Sequence, residues 1–171
     1  MLGHAESKHL FFKSLDHQVD DLSNYLAWMQ NKSSNPFISG VNPLMNEKTL
    51  QEYIVGKNAS SEALLLGIFL KENMSHIGNI KLEPIVIGDH AWLGILIGEV
   101  SARGKSLGFE TMSTVCRFAF KQYFLKEILL ATHPNNLKAI SLYHRVGFAE
   151  ITTFPSNKDR VTMKLSRAAL T

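Results

Sequence analysis

A cluster of small and basic residues separates an apolar run from a long helical pattern in the middle of the chain. The apolar run, residues 91–98, is short for a helix and ends at glycine, which predicts a buried strand. From Ser106 to about Leu125, apolar residues recur with helical spacing. Glycine lets the backbone approach a ligand, and the first turn of a helix offers unpaired N–H groups at the positive end of its dipole. The junction therefore predicts an anion site beside Arg103 and Lys105, although a plain turn with solvated charges stays open.

Two nucleotide-binding motifs fit this junction poorly. The run Gly104-Lys105-Ser106 is similar to the end of a P-loop, but that motif needs glycine at position 99, where the chain has Glu99. A carboxylate there would repel nucleotide phosphates. The fingerprint G-x-G-x-x-G of dinucleotide-binding folds is also absent from the junction. A P-loop-like nucleotide hydrolase is thus a disfavoured alternative, which a test of Mg-ATP binding would decide.

Two stretches resemble known motifs of one family. Residues 103–108 resemble motif A of the GNAT-superfamily N-acetyltransferases, [QR]-x-x-G-x-[GA], with Ser106 where the family usually has its middle glycine. We expect Ser106 to adopt helical dihedral angles and its hydroxyl to add a phosphate contact. Residues 136–148, NLKAISLYHRVGF, match motif B, N-x-x-[AS]-x-x-L-Y-x-x-x-G-F, at every fixed position. Because the motifs stand in the family's order with one strand between them, the chain is identified as a member of this superfamily. The stretches that resemble its RimJ/RimL-type branch, which acetylates primary amines, are residues 25–28, 77–82 and 159–165.

The expected architecture is one domain over residues 1–171, with about the first eight and the last six residues peripheral. The fold class is mixed α+β (α/β), a GNAT-like domain. Its central sheet is mostly antiparallel, with six to seven strands, helices on both faces and a splayed parallel strand pair. The elements expected along the chain are a strand at 10–15, a helix from Asp20 or Asp21 to about Gln30, a loop at 32–45, a helix capped by Asn46, an antiparallel meander at 62–71, 77–83 and 90–98, the motif helix at 106–125, a strand at 128–132, a helix at 136–146 closed by Gly147, and a hairpin of 148–154 with 160–165.

The resemblance implies that coenzyme A binds at the junction. The loop N–H groups would hold its pyrophosphate, and the pantetheine arm would pair with strand backbone between the splayed strands, like an added strand. Gly94 predicts a β-bulge, which would turn an N–H toward the thioester carbonyl. Asn136 matches the family residue that hydrogen-bonds the cofactor arm, and it is also placed to cap a helix. The residues expected to bind the cofactor are Leu96, Ile97, Gly98, Arg103, Gly104, Lys105, Ser106, Leu107, Gly108, Asn136 and Tyr143.

The resemblance also assigns catalytic roles. Tyr143 matches the family's general acid, and a phenol with a pKa of ~10 keeps its proton at neutral pH, so it can protonate the departing thiolate. The alternative is an aromatic residue packed in the core. His90 is the candidate general base, although removal of the amine proton through ordered water would need no side chain. Cys116 falls on the apolar pattern of its helix and is expected to be buried rather than nucleophilic.

Composition and charge exclude several other classes. Apolar content is 45%, and no apolar run approaches the ~20 residues that a membrane span needs. The N-terminus lacks the pattern of a signal peptide, and a single cysteine suits a reducing compartment, so we expect a cytoplasmic protein. The net charge of +3 comes without a Lys/Arg cluster, which argues against nucleic acid as a partner. The histidines lack ligand-like spacing, so no metal is expected.

The sequence therefore predicts an acetyl-CoA-dependent N-acetyltransferase in which a primary amine attacks directly in a ternary complex. The acceptor site is expected between the loop at 35–45, the N-terminal helices and the final hairpin, and its neutral loop residues slightly disfavour a polyamine. We favour a small-molecule amine such as an amino sugar over the N-terminus of a ribosomal protein. A non-catalytic acyl-CoA-binding module is a further alternative, and a homodimer stays open.

Overall fold

The computed structural model describes residues 5–38, 40–152 and 159–170. These residues form one mixed sheet of eight strands in the order β1-β2-β3-β4-β5-β6-β8-β7. Helices α1 and α2 pack with one apolar cluster, and α3 and α4 pack with another. The strands are β1 (Ala5–Glu6), β2 (Leu10–Lys13), β3 (Leu64–Leu70), β4 (His76–Ile85), β5 (His90–Ile97), β6 (Glu127–Thr132), β7 (Ala149–Ile151) and β8 (Val161–Ser166). The helices are α1 (Ser23–Gln30), α2 (Glu47–Ala59), α3 (Leu107–Gln122) and α4 (Leu137–Val146), with short 3-10 helices at Val100–Ala102 and Arg167–Leu170.

The predicted class and topology are confirmed. Strands β3, β4 and β5 form the antiparallel meander, and β5 pairs in parallel with β6 across α3. The sheet has eight strands rather than six or seven because β1, which pairs with β2, is only two residues long and leaves no periodic pattern in the sequence. The final hairpin forms between β7 and β8, while its expected turn at 155–158 lies outside the described residues.

Two local predictions for the helix starts differ in outcome. Asn46 caps α2 as predicted, and its Oδ1 accepts from the backbone N–H of Thr49 at 3.0 Å. Helix α1 begins at Ser23 with Leu22 in the cap position, one residue later than predicted, and the Asp21 carboxylate accepts from the N–H of Ser23 at 2.9 Å. The Asp20 carboxylate binds the ammonium of Lys13 instead.

The predicted bulge lies on the neighbouring strand. Gly94 pairs regularly with Lys81, so the expected bulge at Gly94 is wrong. The register shifts between Leu82 and Ile85 of β4, where two residues, Glu83 and Pro84, face the single Trp92 of β5. Proline has no N–H to donate to a ladder, and this places the irregularity on β4.

Close packing around Gly98 holds helix α1 against the end of β5. A Cβ on Gly98, at the end of β5, would lie 2.0 Å from the Trp28 ring of α1, so only glycine allows this approach. Trp28 and Tyr25 are buried with Leu96 in the same apolar cluster. Helix α1 and the loop that follows it are therefore held against the end of β5. None of the described helices is long and apolar enough to cross a membrane.

Candidate active site

The parallel strands β5 and β6 separate beyond their third pair of residues. Their register pairs are His90 with Glu127, Ala91 with Ile128, and Trp92 with Leu129. Beyond this point β5 continues to Ile97 and β6 continues to Thr132, but the two strands no longer pair with each other. The strands are therefore splayed at their carboxyl ends, as predicted, and the open edge of β5 carries backbone groups that no neighbouring strand pairs.

Only part of the expected backbone edge faces this gap. The N–H of Gly98 donates to Ile77 O of β4 at 3.0 Å, and successive N–H groups of a strand point to opposite edges. The N–H of Ile97 is thus directed toward the gap, whereas that of Leu96 is directed toward β4. The position of the Arg103 Nε, 2.9 Å from Ile97 O, agrees with this assignment. Of the three strand residues expected to pair with the cofactor arm, Ile97 is the best placed.

The loop before α3 has the geometry of an anion site. Gly104 has φ +76° and Ser106 has φ +61°, so the expectation of helical dihedral angles for Ser106 is wrong. Its left-handed conformation is one that glycine adopts without steric cost, which explains why the family has glycine there. The first bond of the helix runs from Glu110 N to Ser106 O at 3.1 Å. Within the described part of the chain, the N–H groups of Lys105, Ser106, Leu107 and Gly108 have no acceptor, so four amides at one helix start are available to an anion.

The two cations of this loop differ in their contacts. The Lys105 side chain is exposed and forms no ion pair with a described residue. The Arg103 guanidinium donates to the backbone oxygens of Ile97 and Ser34, at 2.9 and 3.1 Å, and to Asn35 Oδ1 at 2.8 Å. Arg103 therefore fastens the loop after α1 to the end of β5, and Lys105 is the basic side chain of the loop that is available to a phosphate.

Helix α4 brings Tyr143 and Asn136 to the other side of the gap. Tyr143 is 8% exposed, and burial raises the pKa of its phenol to about 12, so the hydroxyl is protonated at neutral pH. Asn136 occupies the cap position of α4 without a capping hydrogen bond, so its expected side-chain cap is wrong. Its Nδ2 donates instead to Thr132 Oγ1 at 3.1 Å, which fixes the end of β6. Gly147 closes α4 with φ +110°, as predicted.

A cavity of about 300 Å³ opens at the splayed strands. Trp92 and Gly94 of its wall share a face of β5 with Leu96, which packs against α1 and α2. Tyr143 belongs to the apolar cluster with α3 and lies outside the lining. The lining residues are Lys32, Pro36, Phe37, Ile38, Lys81, Glu83, Trp92, Leu93, Gly94, Ala131, Thr132, His133, Asp159 and Arg160. Tyr143 is thus not a wall residue of this cavity.

Glu83 of β4 also lines the cavity. Its carboxylate binds Lys57 and, at 3.4 Å, Lys81. Partial burial acts to raise the pKa of Glu83, but the two ammonium groups outweigh it and hold the pKa below its usual value. Lys81 and Glu83 are two residues apart on β4, and this spacing in the sequence indicates that their side chains lie on the same face of the strand.

Other candidates lie away from the cavity. His90 is at the closed end of the strand pair, with Nδ1 3.0 Å from Asp89 Oδ2, and it does not line the cavity. The structure therefore does not bring His90 together with the splayed strands. Cys116 is fully buried, as predicted, and burial raises the pKa of its thiol to about 12.

The splayed parallel pair, the loop of unpaired amides before the following helix and the buried tyrosine on the next helix follow one another in the order that the family resemblance implies. The chain belongs to the GNAT family, because the family model described as "Acetyltransferase (GNAT) domain" matches residues 10–149 of its sequence. It is therefore an N-acetyltransferase. No curated protein matches its sequence.

Solved structures share the fold over nearly the whole chain. The spermidine N-acetyltransferase from Vibrio cholerae, in complex with CoA and spermine, is 20% identical with a TM-score of 0.80, covering 95% of this chain and 98% of its own. A ribosomal-protein-serine acetyltransferase from Vibrio cholerae is 14% identical with a TM-score of 0.73, covering 96% and 98%. The microcin C7 self-immunity acetyltransferase, in complex with acetyl-CoA and AMP, is 14% identical with a TM-score of 0.74, covering 94% and 93%. At these identities the likeness shows the fold and leaves the acceptor open.

Proposed function

We propose that the chain transfers the acetyl group of acetyl-CoA to the primary amine of a small molecule, by direct attack in a ternary complex. The observation that carries this proposal is the splay of β5 from β6 beside the four unpaired amides of the loop before α3. An anion held by those amides would leave the thioester arm to enter the gap next to Ile97. The sequence similarity to the RimJ/RimL-type branch supports the choice of a primary amine.

The two sides of the gap supply different parts of the reaction. The neutral amine nitrogen, coming from the cavity, would attack the thioester carbonyl carbon, and the C–N bond would form as the C–S bond breaks. Tyr143, on the α4 side, would give its proton to the departing sulfur and regain one from solvent. Since Cys116 is buried, direct transfer fits better than an acetyl-enzyme intermediate.

Solvent in the cavity is the simplest acceptor for the amine proton. Glu83 has a low pKa, so it is a weak base, and His90 lies outside the lining. We therefore propose that the amine proton leaves to water. Glu83 is already paired with Lys57 and Lys81, so it is not assigned a contact with the amine.

The proposal is tested by thiol release from acetyl-CoA across a panel of amines, with calorimetric binding of CoA measured in parallel. The panel contains amino sugars, amino acids, polyamines and peptides that begin with alanine or serine. Turnover with a small amine supports the proposal, and turnover confined to peptides would assign the chain to protein N-termini. Tight CoA binding without turnover of any amine would make it an acyl-CoA-binding module. Binding of Mg-ATP in place of CoA would contradict both.

A further inference from the structure

The charges that line the cavity are unequal. Glu83 is neutralised by two lysines, one of them the lining residue Lys81. Asp159, the other acidic residue of the lining, also has an interaction of its own. Two further cations, Lys32 and Arg160, lie on separate segments of the wall, and both are exposed. Neither forms an ion pair with a described residue, so the cavity presents uncompensated positive charge.

His133 adds a hydrogen-bond donor to this positive region. Its Nδ1 accepts the backbone N–H of Asn135 at 3.1 Å, and a backbone N–H can only donate. The proton of the neutral ring must then be on Nε2, which makes that nitrogen a donor. The His133 ring also stacks on Phe37, with centroids 5.4 Å apart, so its orientation is fixed between the loop after α1 and the end of β6.

We propose, on the basis of the acetyltransferase function above, that the amine acceptor carries an anionic group, a phosphate or a carboxylate, which Lys32, Arg160 and the His133 Nε2–H bind. The acceptor then carries two groups: its amine lies toward the gap between β5 and β6, and its anion lies toward the basic side chains. Charge-assisted hydrogen bonds from lysine and arginine are among the strongest that a small ligand can make. The volume of about 300 Å³ suits a small acceptor.

Related structures do not fix the sign of the ligand charge. One neighbour of the same fold is solved with spermine, a polycation, and another is solved with AMP, an anion. The walls of the cavity in this chain would repel a polycation, because the three lining cations Lys32, Lys81 and Arg160 outnumber the two lining carboxylates. The inference therefore separates this chain from polyamine acetyltransferases by a measurable preference.

The test compares amines that differ only in an anionic group. Glucosamine 6-phosphate is paired with glucosamine, and β-alanine is paired with its amide, so the two arms distinguish phosphate from carboxylate. We expect kcat/KM to be about tenfold or more higher for the anionic member of one pair, as expected for hydrogen bonds to a charged group. The preference should shrink in 0.5 M salt, because an open cavity is screened. Equal rates within both pairs, or a preference for spermidine, would overturn the inference.

Charge-removing variants locate the effect. Arg160→Gln and Lys32→Gln should each remove much of the preference, because they should lower kcat/KM for the anionic member of a pair more than for the neutral member. Lys48→Gln, on the exposed face of α2 and outside the lining, is the matched control and should retain the preference. If both cavity variants discriminate like the wild-type chain, the inference is wrong.

Binding separates this inference from the function on which it rests. Calorimetry on the CoA-bound protein measures the affinity for each amine whether or not it is acetylated. Anionic amines that bind tightly but are not acetylated would support the anion site and contradict the acetyltransferase proposal. Acetylation of neutral amines or polyamines, with no tighter binding of their anionic counterparts, would support the acetyltransferase proposal and contradict the anion site.

Discussion

The guanidinium of Arg103 lies 2.8 Å from the side-chain oxygen of Asn35, which comes 68 residues earlier in the chain. Asn35 is itself buried and donates to Trp28 O at 3.0 Å. Through Arg103, which also binds Ile97 O, the cavity loop after α1 is joined to the strand edge that faces the gap. The acceptor wall and the proposed cofactor edge are therefore linked by one side chain.

Arg103→Gln should lower the stability of the fold and weaken the binding of the acceptor. The shorter side chain cannot span the loop and the strand, and the buried Asn35 oxygen loses its donor, so we expect about 1–2 kcal/mol less stability in denaturant unfolding. Because the loop lines the cavity, the KM for the acceptor should rise severalfold. Arg117→Gln, at an exposed position of α3 without a described hydrogen bond, is the control and should change neither value. An unchanged acceptor KM in the folded Arg103 variant would mean that the loop is positioned without this contact.

Ser106 is the second position where the site depends on an unusual backbone conformation. With φ at +61°, Ser106→Gly should raise the free energy of unfolding by about 1 kcal/mol, and Ser106→Ala should not. The hydroxyl does not cap its own helix, so we expect it to bind the cofactor phosphate. The glycine variant should then be more stable but bind CoA severalfold more weakly in calorimetry. If it binds CoA as tightly as the wild-type chain, the hydroxyl does not contribute to the phosphate site.

These two residues show which parts of the site a sequence can predict. The strand, the small-residue loop and helix α3 follow from periodicity and composition, because each depends on neighbouring residues. The left-handed Ser106 does not, since serine gives no sign of a positive φ and only the resemblance marks a glycine position. The contact of Arg103 with Asn35 is also invisible, because it depends on how two distant loops meet after folding.

The same reasoning explains the errors at β4 and α1. Gly94 and Pro84 both allow a bulge, and only the pairing of β4 with β5 decides which of them forms it. Glu83, which lies within that shift, is also a residue of the cavity wall. Asp20 could cap a helix by its type, but Lys13 lies close to it in the fold and takes its carboxylate. In each case a contact formed in the folded chain, and not the local preference of a residue type, decides the outcome.

Tyr143→Phe should reduce turnover without weakening cofactor binding. The variant removes the proton donor for the departing thiolate and retains the ring that packs 6.1 Å from Phe148. We expect kcat to fall about 100-fold or more, with CoA affinity changed less than about twofold. An assay of thiol release measures kcat, and calorimetry measures the affinity for CoA. A variant with wild-type kcat would remove Tyr143 as the acid.

The pH dependence of turnover should follow the acceptor rather than the enzyme. If the amine proton leaves to water, kcat/KM rises with pH up to the pKa of the acceptor amine, and amines of lower pKa reach their plateau earlier. Because burial raises the pKa of Tyr143 to about 12, no falling limb from this group is expected below pH 10. His90→Ala should leave the profile unchanged. A rising limb that is present in the wild-type profile and lost in this variant would restore His90 as the base.

Glu110 should make the fold sensitive to acid. It lies in the first turn of α3 and accepts from His9 N and Ser7 Oγ, both at 2.7 Å, which ties the N-terminal segment to the motif helix. Burial acts to raise the pKa of Glu110, but these hydrogen bonds and the His9 ring outweigh it, so the pKa lies below its usual value. A lowered folded-state pKa gives stability that is present above the unfolded-state pKa and is lost as the pH falls through the folded-state pKa. Glu110→Gln should therefore be about 1 kcal/mol less stable than the wild-type chain at pH 7, and the difference should disappear as the pH falls through the folded-state pKa of Glu110. Urea unfolding across this range measures it, with Glu52→Gln on the exposed side of α2 as the control. A difference that persists unchanged at low pH would show that the glutamate acts through packing and not through its charge.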